Sequence, residues 1–275
     1  MDPHAFLQAI ADDPEDELLR LAFADWLEEQ GQPDRAEFVR ASCALARVTH
    51  RDPEFGSLVV RASEAFRRCR PPWWKSIQGV SELQTRGLIR LHVRSQTAAR
   101  RLGKANWLGQ AHAEGWLERI EIPWSDDRLA QAVAGWKGPI RDIPLLVRPA
   151  PQITDVGLAV YLDMPGLVGL ELPGHALRNQ VLERLSERQD LRELALFLTG
   201  LDSSEGLEVL EQVGKLTGLR QLKLHGTFRP NDEDLARWHG LDNLRWLILY
   251  GCHAVTEAGV AGLQQALPSL AIERR

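Results

Sequence analysis

The sequence predicts an α/β fold: a right-handed solenoid with a parallel concave sheet and convex helices, preceded by a small all-α N-terminal domain. Three observations predict it. The pattern Leu-x-x-Leu-x-Leu recurs through most of the chain, helix-start residues fall between its copies, and the first fifty residues carry apolar side chains at helical spacing instead.

The strict pattern occurs at Leu167, Leu170 and Leu172, at Leu191, Leu194 and Leu196, at Leu219, Leu222 and Leu224, and at Leu244, Leu247 and Leu249. Allowing Ile or Val adds Leu88, Leu91 and Val93; Leu117, Ile120 and Ile122; Ile140, Ile143 and Leu145; Leu267, Leu270 and Ile272. Successive first positions are 29, 23, 27, 24, 28, 25 and 23 residues apart, which gives about eight repeats over 86–275. Each copy puts apolar residues on one side of a short strand. One strand cannot bury that side alone, so the copies must stack.

The segments between copies begin with helix-start residues: Ser125-Asp126-Asp127, Thr154-Asp155, Ser203-Ser204-Glu205, Asn231-Asp232-Glu233 and Thr256-Glu257. Their hydroxyl, amide and carboxylate oxygens accept from open helix N–H groups, and the acids favour that end of the helix dipole. Ile153-Thr154-Asp155-Val156-Gly157-Leu158 and Val255-Thr256-Glu257-Ala258-Gly259-Val260 resemble helix starts of ribonuclease-inhibitor-like and cysteine-containing leucine-rich repeats, and Cys252 is similar to the cysteine of the latter type. The resemblance covers roughly 86–272. It implies convex helices and a macromolecular binding role. The position often filled by Asn holds Thr199, Thr227 and Cys252, so a regular asparagine ladder is absent.

Residues 1–85 read as helices forming an N-terminal cap. Phe6, Leu7 and Ile10 mark a first helix; Leu19, Ala22, Phe23 and Trp26 mark a second, with Gly31 placed to end it; Phe38, Ala41, Leu45 and Val48 mark a third. A fourth is expected over Pro53 to Arg68, before Pro71-Pro72 breaks the chain. The run from Arg20 to Glu29, followed by Gly31, Asp34, Glu37-Phe38 and Arg40, resembles the repeat-companion domain found before leucine-rich repeats in many bacterial proteins. That resemblance implies no activity. Packed on the strand near Leu88, such a domain covers the first repeat, whereas the last strand motif ends at Ile272 and leaves an edge for a partner or a second copy.

No apolar stretch is long enough for a membrane helix, and the start lacks a signal-peptide pattern, so a cytoplasmic protein is expected. Cys43, Cys69 and Cys252 are scattered, the histidines show no ligand spacing, and no nucleophile–base set assembles; neither metal, cofactor nor catalysis is expected. The net charge of −5 hides an asymmetry, with −7 over 1–50 and +8 over 51–110.

Function is therefore sought in recognition of a protein partner, as in a scaffold. The third, fifth and seventh pattern positions project from the concave sheet. They are Glu193, Ala195 and Phe197, then Gln221, Lys223 and His225, then Trp246, Ile248 and Tyr250. Aromatic residues on a rigid sheet suit interaction hot spots, and the alternative is that they pack on each other or under a loop. A second reading is binding of nucleic acid or another polyanion by Arg86, Arg90, Arg94, Arg100, Arg101 and Lys104, interleaved with Trp73, Trp74 and Trp107. The plainer alternative is neutralisation by the acidic first fifty residues. A third is an enzyme using Asp25, Glu28, Glu29, Asp34 and Glu37, set against a solvated helix face in which Asp25 pairs with Arg20 or Arg40.

Overall fold

A computed structural model describes residues 3–13, 16–77, 81–177, 180–226 and 230–275. Thr227, one of the three positions often filled by Asn, lies outside them. The fold is mixed α/β, and the chain divides into two compact units: Met1–Glu121 with Lys137–Pro144, and Ile122–Trp136 with Leu145–Arg275. Among the described residues no helix is long and apolar enough to cross a membrane.

The first unit opens with four helices, α1 (Pro3–Asp12), α2 (Glu17–Glu29), α3 (Pro33–Ala46) and α4 (Phe55–Cys69). Asp16 starts α2 by accepting from the Leu18 N–H at 2.8 Å, and Gly31, at φ +74°, turns the chain after it. Leu7, Ile10, Phe23, Leu27, Ala36, Val39 and Cys43 pack together with Leu88. Leu88 begins β2 (Leu88–His92), which pairs antiparallel with β1 (Ser81–Thr85). The sequence reading placed only helices before residue 86, so β1 is an addition. Its turn is Arg86-Gly87, with φ +47° and +85°, the two positive values that a type I′ hairpin turn requires. A Cβ on Gly87 would lie 2.5 Å from the Val39 Cα, so a side chain there would push the hairpin off α3. Helices α5 (Gln96–Leu102) and α6 (Asn106–Ala113) follow, then β3 (Leu117–Ser125), which pairs parallel with β2 and runs on into the second unit.

In the second unit α7 (Asp127–Ala134) is followed by strands and helices in alternation: β4 (Leu145–Pro149), α8 (Asp155–Leu162), β5 (Leu167–Pro173), α9 (Gln180–Ser186), β6 (Glu193–Phe197), α10 (Ser203–Val213), β7 (Gln221–His225), α11 (Asp232–Ala236), β8 (Trp246–Tyr250), α12 (Glu257–Ala266) and β9 (Ala271–Arg274). Strands β4 to β9 pair parallel in chain order. Their register sets Leu170, Leu194, Leu222 and Leu247 in one column and Leu172, Leu196, Leu224 and Leu249 in the next, all buried. The strand expected from Ile140, Ile143 and Leu145 is displaced. Gly138–Asp142 form a 3-10 turn, and β4 starts at Leu145, opposite Leu167, with Val147 opposite Leu170. Pro144 has no N–H to give a ladder, so the strand begins after it. Ile140 and Ile143 are buried all the same, which is why they imitate the pattern.

The repeated Thr-acid-x-Gly segments have a structural reason. Asp127 at the start of α7 accepts from the Thr154 N–H and hydroxyl, each at 2.9 Å, and Asp232 at the start of α11 accepts from the Thr256 N–H (2.8 Å) and hydroxyl (2.6 Å). Thr154 and Thr256 are the N-caps of α8 and α12. A Cβ at Gly157 would lie 2.3 Å from an Asp127 carboxylate oxygen, and one at Gly259 would lie 2.2 Å from Asp232. Glycine is what lets one helix start dock on the next.

Candidate functional site

Parallel strands in register repeat about every 4.8 Å, so like positions on neighbouring strands face each other at ring-stacking distance. Phe197, His225 and Tyr250 are register partners on β6, β7 and β8. Their rings form a continuous stack, with centroids 4.7 Å apart at 19° and then 4.0 Å apart at 13°. Arg275 closes one end, its guanidinium 5.5 Å from the Tyr250 centroid and its Nη1 donating to the tyrosine hydroxyl at 2.9 Å. Phe197 at the other end is 39% exposed. Burial holds the His225 imidazole below its ordinary value; Glu171 pulls it up, and Lys223 pushes it further down. The stack therefore favours the neutral form of the ring.

Trp246 and Ile248 precede Tyr250 at alternate positions of β8, and both are half-buried. With Tyr250 they give one strand three apolar side chains on one face. Gln221 and Lys223 occupy the same rows on β7, and Glu193 and Ala195 on β6. Ala195 is short, so a shallow recess opens above it, rimmed by Glu171, Glu193, Gln221 and Lys223. Glu171 takes the Arg148 Nε–H at 2.8 Å. The structure thus brings all eight residues of the expected protein-binding set onto β6, β7 and β8 and adds Arg148 and Glu171. Neither has a clear sequence signal: β4 begins at Leu145, five residues beyond the pattern's first position at Ile140, and the outward positions of β5 are Gly169, Glu171 and Pro173, with no aromatic residue among them.

The basic set is divided. Arg86 is in the hairpin turn. Arg90 gives its Nε–H to Glu118 at 2.9 Å. Arg94 reaches His92 Nδ1 at 3.3 Å, while Arg100 and Arg101 in the last turn of α5, and Lys104 beyond it, are exposed. Trp73 stacks on Trp107 with centroids 5.3 Å apart and meets Trp74 and Trp116 edge-on or tilted, so these rings pack on one another. Elsewhere in the basic segment, Arg61 pairs with Glu37 and Arg68 with Asp34. Arg40 pairs with both Asp25 and Glu28 at 2.6 Å. Two ion pairs, Arg61–Glu37 and Arg68–Asp34, thus join the basic segment to the acidic one. Among the described residues no group of three His, Cys, Asp or Glu is placed to hold a metal ion.

Of the two partners expected for Asp25, Arg40 takes it and Arg20 does not; Arg35 has no sequence signal. Arg20 is 1% exposed and faces Glu118 at 3.5 Å. Burial lowers the Arg20 guanidinium, with Glu118 opposing. Burial also resists ionisation of Glu118, but Arg90 and Arg20 outweigh it and hold the carboxyl below its ordinary value. Arg35 is 2% exposed and donates to the Glu114 and Gly115 carbonyls at 2.7 and 2.6 Å, while lying 4.1 Å from the Trp116 ring centroid. Burial pushes it down to about 10, against the pull of Cys69 and Glu114. Arg20 ties α2 to β3, and Arg35 ties α3 to the turn between α6 and β3. Compared with known proteins, the chain matches no protein-family model and no curated protein.

Proposed function

We propose that this chain is a non-catalytic recognition module of leucine-rich-repeat type, whose repeats form a solenoid and whose second unit binds a protein partner. The binding surface is the sheet face carrying Glu193, Phe197, Gln221, Lys223, His225, Trp246, Ile248 and Tyr250. One observation carries this reading: the Phe197–His225–Tyr250 stack lies open beside Trp246 and Ile248, on strands whose other face already holds the leucine core. The stack fixes the rings without covering them, so little side-chain entropy is left to lose on binding. The repeat spacing and the resemblance of the first residues to a repeat-companion domain support the same reading. A cytoplasmic scaffold is the setting that fits it.

The test is affinity capture with the whole chain and with the Trp246→Ala, Tyr250→Ala double variant, the fold of each checked by circular dichroism. The variant is expected to lose the partners that the wild type retains. If it is folded and keeps every one of them, the sheet face is not the site. Capture of nucleic acid that falls away steeply with salt would favour the polyanion reading instead.

A further inference from the structure

The second position of the leucine pattern precedes the strand and is free of core duty. Before β6, β7 and β8 it holds Arg192, Arg220 and Arg245. The backbone stacks them one repeat apart: the Arg220 N–H donates to the Arg192 carbonyl and the Arg245 N–H to the Arg220 carbonyl, both at 2.8 Å. That ladder does not call for arginine, since the Val168 carbonyl takes the Arg192 N–H at the same 2.8 Å. Like charges at neighbouring register positions repel. Three in a row are a cost that the repeat itself does not impose.

Two of these arginines, Arg192 and Arg220, line a cavity of about 270 Å³ together with Gln189, Thr217, Gly218 and Asn243. Among the described residues, its lining holds no carboxylate and no hydrophobic side chain. The chain's own hydrogen bonds fix the wall. Arg192 Nη1 donates to the Gln189 and Gly218 carbonyls, each at 3.0 Å. The Thr217 hydroxyl donates to Gln189 Oε1 and the Asn243 Nδ2 to the Thr217 carbonyl, each at 2.8 Å. A Cβ at Gly218 would collide with the Gln189 carbonyl and the Arg192 guanidinium, so glycine is what permits this arrangement.

A fixed polar cavity with two guanidiniums in its wall suits an anion. Its size restricts the choice: pockets for whole small molecules begin at roughly 300 Å³, so this one takes a group rather than a cofactor. Without a hydrophobic wall it offers nothing to a base or an aromatic ring. A phosphate monoester carries a charge of about −1.5 to −2 at neutral pH and three acceptor oxygens, which matches two guanidiniums better than a singly charged carboxylate does. We infer that the cavity beside the starts of β6 and β7 is a binding site for a phosphoryl group, held by Arg192 and Arg220. The site uses none of the eight sheet-face residues and stands whether or not they bind a protein.

The test titrates the whole isotope-labelled chain with sodium phosphate, against sodium chloride at equal ionic strength, and follows backbone amides by NMR. The Gln189, Thr217, Gly218 and Asn243 amides are expected to shift saturably with phosphate and not with chloride. Affinity should weaken about tenfold in Arg220→Gln and less in Arg220→Lys, with thermal melts showing that each variant is folded. Absence of saturable shifts at these amides overturns the inference in the wild type alone, so a variant that fails to fold does not protect it. Unchanged affinity in folded Arg220→Gln also overturns it, as does acetate saturating the same amides at the same concentration. Two sources can supply the group, and two further probes separate them. Tighter binding of a short phosphoserine peptide than of inorganic phosphate supports the site and assigns it to a phosphorylated protein segment. Tighter binding of glycerol phosphate supports it and assigns it to a small free ester.

Discussion

In the first unit the deepest polar side chains are arginines that join distant parts of the chain: Arg20 reaches Glu118 across 98 residues, and Arg35 reaches Gly115 across 80. In the second unit the same depth is filled by columns of leucine, and its buried carboxylate Asp234 serves locally, accepting from the Asn231 N–H at the start of its own helix. The two units fail differently when a single group is removed. A leucine column loses packing in proportion to the volume deleted. A buried ion pair loses one partner and keeps the desolvation penalty of the other.

The sharpest way to break the comparison is at these two cores. Arg20→Ala leaves Glu118 buried with less compensating charge and is expected to cost about 4 kcal/mol, read as a lower midpoint in urea unfolding. Leu222→Ala, in the middle of a leucine column, is expected to cost about 3 kcal/mol by the same measurement. If Arg20→Ala proves milder than Leu222→Ala, buried charge is not what holds the first unit.

A smaller effect is expected at the helix ties. Thr256→Ala removes the N-cap of α12 and the donor to Asp232, and about 1 kcal/mol should be lost. The hydrogen bonds from Thr256 hold the Asp232 carboxyl below its ordinary value of 3.8. Its contribution is therefore complete above pH 3.8 and disappears as pH falls through the lower folded value. The stability gap between wild type and Thr256→Ala should narrow in acid; a gap independent of pH would show that the carboxylate plays no part. The smallest effect belongs to His225. Its folded value lies below 6.5, so the unfolded chain binds the proton more readily, and stability should decline as pH drops from 6.5 toward the folded value. His225→Phe, which keeps a ring in the stack, should flatten that decline in thermal melts from pH 7.5 to about 5.

The same contrast explains what the sequence made legible. Strands β5 to β8 could be read almost to the residue because their signal is local: each needs apolar side chains two apart, and the repeat supplies them. The aromatic row followed from register alone, since like positions on parallel strands become neighbours. Strand β4 was misplaced because Ile140 and Ile143 are buried for another reason, in a turn. Strand β1 was missed because Ser81-Glu82-Leu83-Gln84-Thr85 holds a single apolar residue; the Arg86-Gly87 pair was the available signal. The Arg20–Glu118 pair has no local signature, for nothing around either residue names a partner so far along the chain.

The reversed strand β1 has a consequence for growth. Parallel strands of one repeating pattern present an edge that accepts another copy running the same way, whether it arises by duplication within a gene or arrives from a second molecule. Beside β2 that edge is taken by a backbone of opposite polarity. A strand laid against β1 meets a different ladder and cannot continue the register of β2 and β3. The hairpin thus acts as a punctuation mark, giving the array a direction in which it can lengthen and one in which it stops.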